Sequence, residues 1–261
     1  MNKISLAIPT YFSSRFIDEL INTLTPHKVV DEIVISDDSE NNTEFNKLEY
    51  SVKESLKSTD IKLNITKNNK NLGGFKNKYK CVENCSNEYI YQIDSDNLAS
   101  NKTLKYISRL EIDKLNNSIL HVPASIYLFE NNKFEMYLNP SKKVVYRRKS
   151  TLINFQIVKN NLIENKKFVV KRNIDWLLNT GNPFFNKLNY LESLKPGLKY
   201  ETNKLSACSI AMAYFWLSSG KQVNVSKYLA HYHRVRNDSY YVEQGSIADN
   251  SVSYFKQKFI N

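Results

Sequence analysis

The sequence predicts an α/β fold in which a mostly parallel central sheet is flanked by helices. Three observations support this fold class. Short apolar runs alternate along the chain with segments whose apolar residues recur at helical spacing. The apolar runs are rich in β-branched and aromatic residues, which is typical of strands buried on both faces. Hydrophobic residues make up 41% of the 261 residues, which is enough to build a packed core.

The first 97 residues contain four predicted strands, and each strand is followed by polar residues. The strands are predicted at residues 4–8, 32–36, 61–65 and 89–93. The helices between them are predicted at residues 16–24, at 43–56 and after Gly74. Because the carboxyl ends of parallel strands lie along one edge of a sheet, we expect the polar residues that follow these strands to lie together.

The order of elements is less regular after Asn97, and residues 238–261 are assigned to no element. The predicted elements are hairpin strands at 120–129 and 133–137, a strand-like basic run at 142–149, helices at 151–162 and 205–218, and short strands at 223–225 and 228–233. Gly220 is expected to end the second helix, since glycine often closes helices. No repeat or linker divides the sequence, so we expect one domain over residues 1–261.

The chain is basic, with 37 lysine and arginine residues against 26 acids and a formal net charge of +11. Such a charge suits nucleic acid, an anionic membrane surface or a phosphorylated substrate, and it can equally serve solubility alone. No continuous Lys/Arg block is present, and the aromatic residues do not interleave with the basic runs in a known module pattern. We therefore predict no nucleic-acid partner.

The cysteines and apolar segments restrict the cellular setting. Three cysteines form neither a disulfide framework nor a paired CxxC metal signature. The apolar run at residues 4–8 is too short for a signal peptide, and no apolar segment approaches the roughly 20 residues that span a bilayer. We predict a cytoplasmic protein, with peripheral contact to the anionic inner face of the membrane as a further expectation.

Two carboxylates follow the fourth predicted strand, within the segment Asp94-Ser95-Asp96-Asn97. Side chains two residues apart in an extended segment share a face, so Asp94 and Asp96 can point at one target. A divalent cation relieves the repulsion between two such acids, and oxygen ligands suit Mg²⁺ or Mn²⁺. The alternative is a polar turn that merely ends the strand, because Asp, Ser and Asn are turn residues.

Polar residues after the second and third strands favour a nucleotide ligand. Asp37 and Asp38 can accept hydrogen bonds from ribose hydroxyls or a base N–H. Residues 71–74 open a helix, and their glycines leave free backbone N–H groups and room for a phosphate. The nearby lysines are Lys70, Lys76 and Lys78. The glycine pair lacks the dinucleotide-fold and P-loop patterns, so a simple helix-entry turn is the alternative.

Histidines and arginines cluster near residue 233. His231 and His233 alternate onto one face of a predicted strand, and either could add a nitrogen ligand to the metal, His233 ahead of His231. Arg234 and Arg236 would suit diphosphate oxygens. The alternative for this segment is a solvated basic patch.

The order and spacing of these motifs resembles family-2 glycosyltransferases of the GT-A fold. The four motifs that carry the resemblance are residues 8–11, 37–39, 71–77 and 94–97. The resemblance covers residues 3–97 and continues weakly at 180–183 and 232–234. It implies transfer of a sugar from a nucleotide diphosphate donor, most often UDP, usually with Mn²⁺ or Mg²⁺ and with inversion at the sugar carbon.

The resemblance also implies roles for individual residues, and it divides the chain into a nucleotide-binding half (1–97) and an acceptor-side region (98–261). The implied donor-binding residues are Pro9, Thr10, Tyr11, Asp37, Asp38, Asn71, Gly73, Gly74, Asn77, Lys78, Asp94 and Ser95. Asp38 would hold the base, and Asp94 would face the ribose or the metal. The implied metal ligands are Asp94, Asp96 and His233.

The catalytic base is where this sequence departs from the resemblance. Inverting members carry Asp or Glu near the start of the late helix, but residues 206–219 contain no acid, and Ser209 stands at the expected place. The candidates that remain are Glu201 and Asp175. The implied acceptor is a saccharide or a lipid-linked sugar in bacterial surface polysaccharide synthesis. The missing acid leaves a second function open, a non-catalytic module that binds sugar nucleotides or glycans.

Overall fold

The computed structural model describes residues 3–130, 144–147, 150–164, 181–235 and 245–261. Its strands are β1 (Ile4–Thr10), β2 (Val30–Asp37), β3 (Lys62–Lys67), β4 (Tyr89–Gln92), β5 (Ile119–Glu130), β6 (Val144–Arg147), β7 (Thr151–Ile153), β8 (Phe184–Asn186) and β9 (Gln222–Val235). Its α-helices are α1 (Ser14–Leu24), α2 (Asn42–Leu56), α3 (Gly74–Glu83), α4 (Asn101–Ile107), α5 (Phe155–Ile163), α6 (Lys187–Leu194), α7 (Cys208–Ser218) and α8 (Gly245–Ile260). Short 3-10 turns cover Ile112–Lys114, Lys195–Lys199 and Thr202–Leu205.

The first four strands form a parallel sheet in the order β3-β2-β1-β4. The register places Thr10 at the end of β1 beside Asp37 at the end of β2. On the other side of β1, Ala7 lies beside Gln92, the last residue of β4. The carboxyl ends of these three strands therefore meet at one edge of the sheet, as the sequence predicts.

Both faces of this parallel sheet are covered, and the residues of β1 alternate between two hydrophobic cores. Leu6 and Ile8 pack in the core that contains Ile17 of α1. Ala7, between them, packs in the core that contains Phe75 of α3. Every residue of β1 and β4 is buried, which explains the uninterrupted apolar runs in the sequence.

The second half of the sheet is mixed and follows the order β4-β8-β5-β9-β7, with β6 beside β5. The strand β8 is antiparallel to both β4 and β5, whereas β9 is parallel to β5. The mostly parallel arrangement therefore belongs to the first half. None of the helices within the described ranges is both long enough and apolar enough to cross a bilayer.

Two predicted helices begin later than expected. Residues 151–153 form the strand β7 beside β9, and α5 begins only after Asn154, whose side chain accepts a hydrogen bond from the Ile157 backbone N–H. The predicted helix at 205–218 begins at Cys208, because a separate 3-10 turn precedes it. Gly220 follows α7 with a φ of 79°, as expected of a residue that closes a helix.

The late strands and the tail differ from the sequence predictions. The two strands predicted at 223–225 and 228–233 are one long strand, β9. The tail contains the helix α8, which buries Ala248, Phe255 and Phe259. The second strand of the predicted hairpin, at 133–137, lies outside the described residues.

Candidate functional site

The candidate site lies at the edge where β1, β2 and β4 end. Thr10 and Asp37 are the last residues of β1 and β2. A hydrogen bond from the Ile93 N–H to the Ala7 carbonyl (3.0 Å) continues the pairing just past β4, so Asp94 emerges at the same edge. The structure thus brings Thr10, Asp37 and Asp94 to one edge of the sheet, and the contact of these residues with a nucleotide or a metal stays a prediction.

Asp37 is fully buried and organises the turn that follows β1. Its Oδ1 accepts hydrogen bonds from the Thr10 hydroxyl (2.9 Å) and the Ser39 hydroxyl (2.6 Å). Ser39 Oγ in turn accepts from the Phe12 backbone N–H (2.9 Å). Asp37 Oδ2 is buried with no hydrogen-bond partner. Because an unpaired buried acceptor is costly, a ligand that donates a hydrogen bond here would be favoured.

The turn after β1 holds two aromatic side chains outward. Pro9 is buried in β1, while Tyr11 and Phe12 are each 44% exposed. Their rings meet edge to face with centroids 4.9 Å apart. Phe12 has a φ of 47°, a left-handed conformation that is strained for a bulky residue and is found at functional sites. Tyr11 therefore lies at the rim of the site, where the sequence places a nucleotide.

Asp38 binds the glycine turn, which is the segment of residues 71–74 that leads into α3. Asp38 is buried, and its carboxylate accepts hydrogen bonds from the backbone N–H groups of Leu72 (2.8 Å) and Gly73 (2.9 Å) and from Asn68 Nδ2 (3.1 Å). Burial raises the pKa of Asp38, and these hydrogen bonds offset part of that effect. The expectation that the glycine turn leaves free N–H groups for a phosphate is wrong for these two amides, because an internal carboxylate occupies them.

The space above the two glycines is also filled. Gly73 has a φ of 77°, and a Cβ at this position would lie 2.2 Å from Thr202 Cγ2. A Cβ at Gly74 would meet Cys208 Sγ at 3.7 Å. The side chains of Thr202, in the 3-10 turn Thr202–Leu205, and of Cys208, in α7, therefore lie where the sequence suggests room for a phosphate. Gly73 permits this close approach between backbone and side chain, whereas the distance at Gly74 is an ordinary van der Waals contact.

Asn77 joins α3 to the ends of the first two strands. Its Nδ2 donates to the carbonyls of Thr10 (3.2 Å) and Ser36 (3.1 Å), and its Oδ1 accepts from Asn68 (3.1 Å). Asn71 is exposed, and its Oδ1 accepts from the Gly73 N–H (2.8 Å). Asn77 thus supports the site from within the fold and Asn71 from its surface, and contact of either residue with a donor stays a prediction.

Lys78 and Asp94 form an ion pair inside the site. The Lys78 Nζ lies 2.7 Å from Asp94 Oδ1, and most of both side chains is shielded from solvent. Burial would lower the pKa of Lys78, but the attraction of Asp94 outweighs it and raises this pKa well above its usual range. Burial acts to raise the pKa of Asp94, and Lys78 brings it below the usual value. Both groups are therefore charged at neutral pH.

The acidic turn, which consists of residues 94–97 after β4, contacts β9. The turn is closed by a hydrogen bond from the Asn97 N–H to the Asp94 carbonyl (3.0 Å), and Ser95 within it is buried. His231 is buried and His233 exposed, with ring centroids 5.3 Å apart. Positive charge on either histidine would lower the pKa of Asp94, which places both near the acid.

The acidic turn fits a cation that arrives with a ligand. Within the described ranges, no group of three His, Cys, Asp or Glu side chains converges as a ready-made metal site. Mg²⁺ is usually held by one or two carboxylates together with substrate phosphates. Asp94 and Asp96 suit that mode, and His233 could add a nitrogen ligand.

Asn182 is a site residue that the sequence analysis did not single out. Its Oδ1 accepts a hydrogen bond from the Asp94 N–H (3.4 Å), and its buried Nδ2 has no hydrogen-bond partner. Its φ is 53°, a conformation that Asn adopts more readily than most residues. The resemblance includes residues 180–183, but a local sequence pattern does not show that this segment contacts the residue after β4.

Of the two candidates for the catalytic base, Glu201 lies within the described residues. Glu201 is exposed, precedes the 3-10 turn, and lies 3.8 Å from Lys204 Nζ. Its neighbour Thr202 touches Gly73, so Glu201 lies close to the glycine turn. Asp175 lies outside the described residues. The helix α7 contains no acid, and Ser209 is its second residue.

Comparisons with known proteins place this geometry in context. The family model for Glycosyl transferase family 2 matches residues 5–168. The chain is similar to S. aureus TarS 1-349 in complex with UDP (TM-score 0.57, 17% identity, 99% of this chain and 69% of that chain). It is also similar to TarS 1-349 in complex with UDP-GlcNAc (TM-score 0.59, 17% identity, 99% and 70%). Among curated proteins, none matches the sequence. The family and structure matches confirm the predicted GT-A-type fold.

Proposed function

The chain belongs to glycosyl transferase family 2 and is a glycosyltransferase, and on this premise we propose that it transfers a sugar from a UDP-linked donor with inversion. The observation that carries the proposal is the position of Asp37 and of the turn that contains Asp94 and Asp96, at one edge of a parallel sheet. The presence of UDP and UDP-GlcNAc in the similar TarS structures supports the choice of donor.

The uridine is proposed to bind at the rim formed by Tyr11 and Phe12. Their exposed rings offer apolar area for a base. The unpaired Oδ2 of Asp37 can accept a hydrogen bond from the ribose or the base. Asp38 is the predicted base contact, but its carboxylate is engaged by the glycine turn, so in this proposal it supports the pocket from behind.

The diphosphate is proposed to bind at the acidic turn. Asp94, Asp96 and His233 would hold Mn²⁺ or Mg²⁺ there once the donor phosphates complete its ligands. The chemistry that the cation supplies when bound is neutralisation of charge on the departing diphosphate. Lys78 keeps Asp94 charged and in place through Oδ1, so Oδ2 is the oxygen of this carboxylate proposed to bind the cation.

The acceptor is proposed to be a saccharide or a lipid-linked sugar used in bacterial surface polysaccharide synthesis. The net charge of +11 supports an anionic acceptor, at the cytoplasmic face of an anionic membrane. Glu201 is the proposed base within the described residues, since it is exposed beside the turn that touches Gly73. Asp175 is the other candidate.

A second candidate function is a non-catalytic module that binds sugar nucleotides or glycans. The helix α7 contains no acid, although the inverting members of the family that the sequence resembles carry the base near the start of this helix. This difference favours the alternative. Release of UDP from a UDP-sugar, measured with and without saccharide acceptors, separates the two functions. Turnover establishes the enzyme, whereas tight UDP binding without any release favours the module.

The donor class is tested by thermal unfolding with a panel of nucleoside diphosphates, each with and without Mn²⁺. A ligand that binds only the folded protein raises its melting temperature. We expect UDP with Mn²⁺ to give the largest shift. Equal shifts for every nucleotide, or none with any of them, would contradict the proposed donor.

A further inference from the structure

We propose that Arg234 is a positioning residue that holds the turn carrying Asp96 against α1 through Glu19, and that it does not bind the diphosphate itself. This inference rests on the proposed function, because the turn is the part of the site assigned to the donor phosphates. It replaces the expectation from sequence that Arg234 suits diphosphate oxygens. The other arginine of that expectation, Arg236, lies outside the described residues.

The Arg234 side chain is a buried cation with an acidic partner. Only 3% of the side chain is exposed, and its Nη2 contacts Glu19 Oε2 in the middle of α1. The Glu19 side chain is 41% exposed, so the pair lies at the boundary of the fold with its positive end inside. A buried charge needs such a partner, because an unpaired one is strongly destabilising.

The same guanidinium group contacts the backbone of the acidic turn. Arg234 Nε donates to the Asp96 carbonyl (2.9 Å), and the Arg234 backbone N–H donates to Asn97 Oδ1 (3.1 Å). The guanidinium is planar with donors in a fixed fork, so its contacts with Glu19 and Asp96 set the position of one relative to the other. The turn is thereby tied to β9 and α1 together.

The packing of Arg234 on Phe16 adds a third restraint. The Arg234 Cζ lies 4.6 Å from the centroid of the buried Phe16 ring. A guanidinium over an aromatic face is attracted by the ring electrons, more strongly when it is desolvated. Phe16 belongs to α1, as Glu19 does, so Arg234 is attached to that helix at two points.

These contacts assign Arg234 a role that acts through Asp96. Its charge is balanced by Glu19, and its Nε supports the backbone of the residue whose carboxylate is assigned to the metal. Contacts of this kind orient the side chains that bind a metal directly. Their loss typically costs about 10- to 100-fold in metal affinity or activity. Glu19 contacts Arg234, which in turn contacts the Asp96 carbonyl, so the loss of Glu19 should weaken donor binding through these two contacts.

Glu19→Gln separates positioning from direct phosphate binding. If Arg234 positions the turn, the variant lacks the carboxylate charge that holds the Arg234 side chain in place. UDP affinity in Mn²⁺ then falls about 10-fold or more. If Arg234 binds phosphate directly, removal of the competing carboxylate leaves UDP affinity unchanged or higher, which would overturn the proposal. Glu49→Gln, which removes an acid paired with Lys53 on the exposed face of α2, is the matched control and should bind UDP as the unmodified chain does.

Arg234→Lys gives a second, independent comparison. Lysine keeps the positive charge but lacks the fork that reaches Glu19 and the Asp96 carbonyl together. We expect UDP affinity to fall as in Glu19→Gln, whereas retained affinity would overturn the positioning role. Melting temperatures of all variants show whether each one is folded.

Hydrogen exchange tests the inference without any ligand. The amides of residues 94–97 should exchange faster in Glu19→Gln than in the unmodified chain or in Glu49→Gln, because the turn is less restrained. Unchanged exchange there overturns the inference, even if UDP binding proves the function. Faster exchange in a chain that binds no UDP would support the positioning role and contradict the proposed function instead.

Discussion

Lys78 in α3 and Asp94 after β4 are joined by an ion pair of 2.7 Å that links the helix behind the glycine turn to the acidic turn. The pair is largely shielded from solvent, so each charge depends on the other. Removal of one partner should therefore lower the free energy of unfolding by more than the removal of one partner from an exposed ion pair does.

Replacement of Lys78 by Met should lower the free energy of unfolding by about 2 kcal/mol, less than for a fully buried pair because Asp94 is partly exposed. The variant Lys78→Met/Asp94→Asn should recover part of this loss, since no uncompensated charge remains. Lys53→Met, which breaks an exposed pair with Glu49, is the control and should cost less than about 1 kcal/mol. Urea unfolding measures all three. A Lys78→Met protein as stable as the control would contradict the buried-pair interpretation.

Gly73→Ala should destabilise the protein for two reasons, the left-handed backbone and the contact of 2.2 Å between the new Cβ and Thr202 Cγ2. Gly220→Ala is the matched control, because its φ is also positive but nothing lies within 4 Å of its Cβ. We expect a loss of about 1 kcal/mol for Gly220→Ala, from the backbone alone, and a clearly larger loss for Gly73→Ala. Equal losses in urea unfolding would show that Thr202 does not pack on the glycine turn.

His121 should make the protein less stable in mild acid. Burial lowers the pKa of His121 from 6.5 to about 4, so the folded state keeps this side chain neutral where the unfolded chain binds a proton. Because the folded-state pKa of this base is depressed, the free energy of unfolding falls as the pH drops from about 6.5 to about 4, by roughly 2–3 kcal/mol in all. His121→Gln removes this titration, so unfolding measured at pH 7 and at pH 4.5 should differ less in the variant. An unchanged difference would exclude His121 as its source.

Glu201→Gln tests the proposed base. The variant should bind UDP normally, because the ion pair described for Glu201 is with Lys204 and not with a residue assigned to the donor, but sugar transfer should fall by about 100-fold or more. Glu192→Gln, an exposed acid on α6, is the control and should transfer sugar at the unmodified rate. Undiminished transfer in Glu201→Gln would exclude it as the base and leave Asp175 to be tested in the same way.

The sequence predicted those parts of the fold that depend on local pattern. The runs around Ile8, Ile35 and Ile90 identified the buried parallel strands, because such strands carry an uninterrupted apolar signal. The helix α8 was missed because its buried residues, Phe255 and Phe259 among them, are spread among polar ones. The long strand β9 was divided because the polar pair Ser226-Lys227 interrupts its apolar pattern.

The parts of the site that the sequence did not predict depend on contacts between distant residues. Asp38 was assigned to a ligand, but its partners Leu72 and Gly73 lie more than thirty residues away, and local sequence does not reveal such a pairing. Arg234 and Glu19 are separated by 215 positions. The type of a polar residue indicates that its side chain needs a hydrogen-bond or ion-pair partner. Only the fold shows whether the protein or a ligand supplies that partner.

The most direct measurement is the release of UDP from UDP-GlcNAc in Mn²⁺, compared between the unmodified chain, Asp96→Asn and the control Asp249→Asn, which changes an exposed acid on α8. If the acidic turn holds the donor diphosphate through a cation, Asp96→Asn should lose at least about 100-fold in rate while remaining folded, and the control should lose nothing. Near-normal UDP release from Asp96→Asn would contradict the assignment of this turn to the donor.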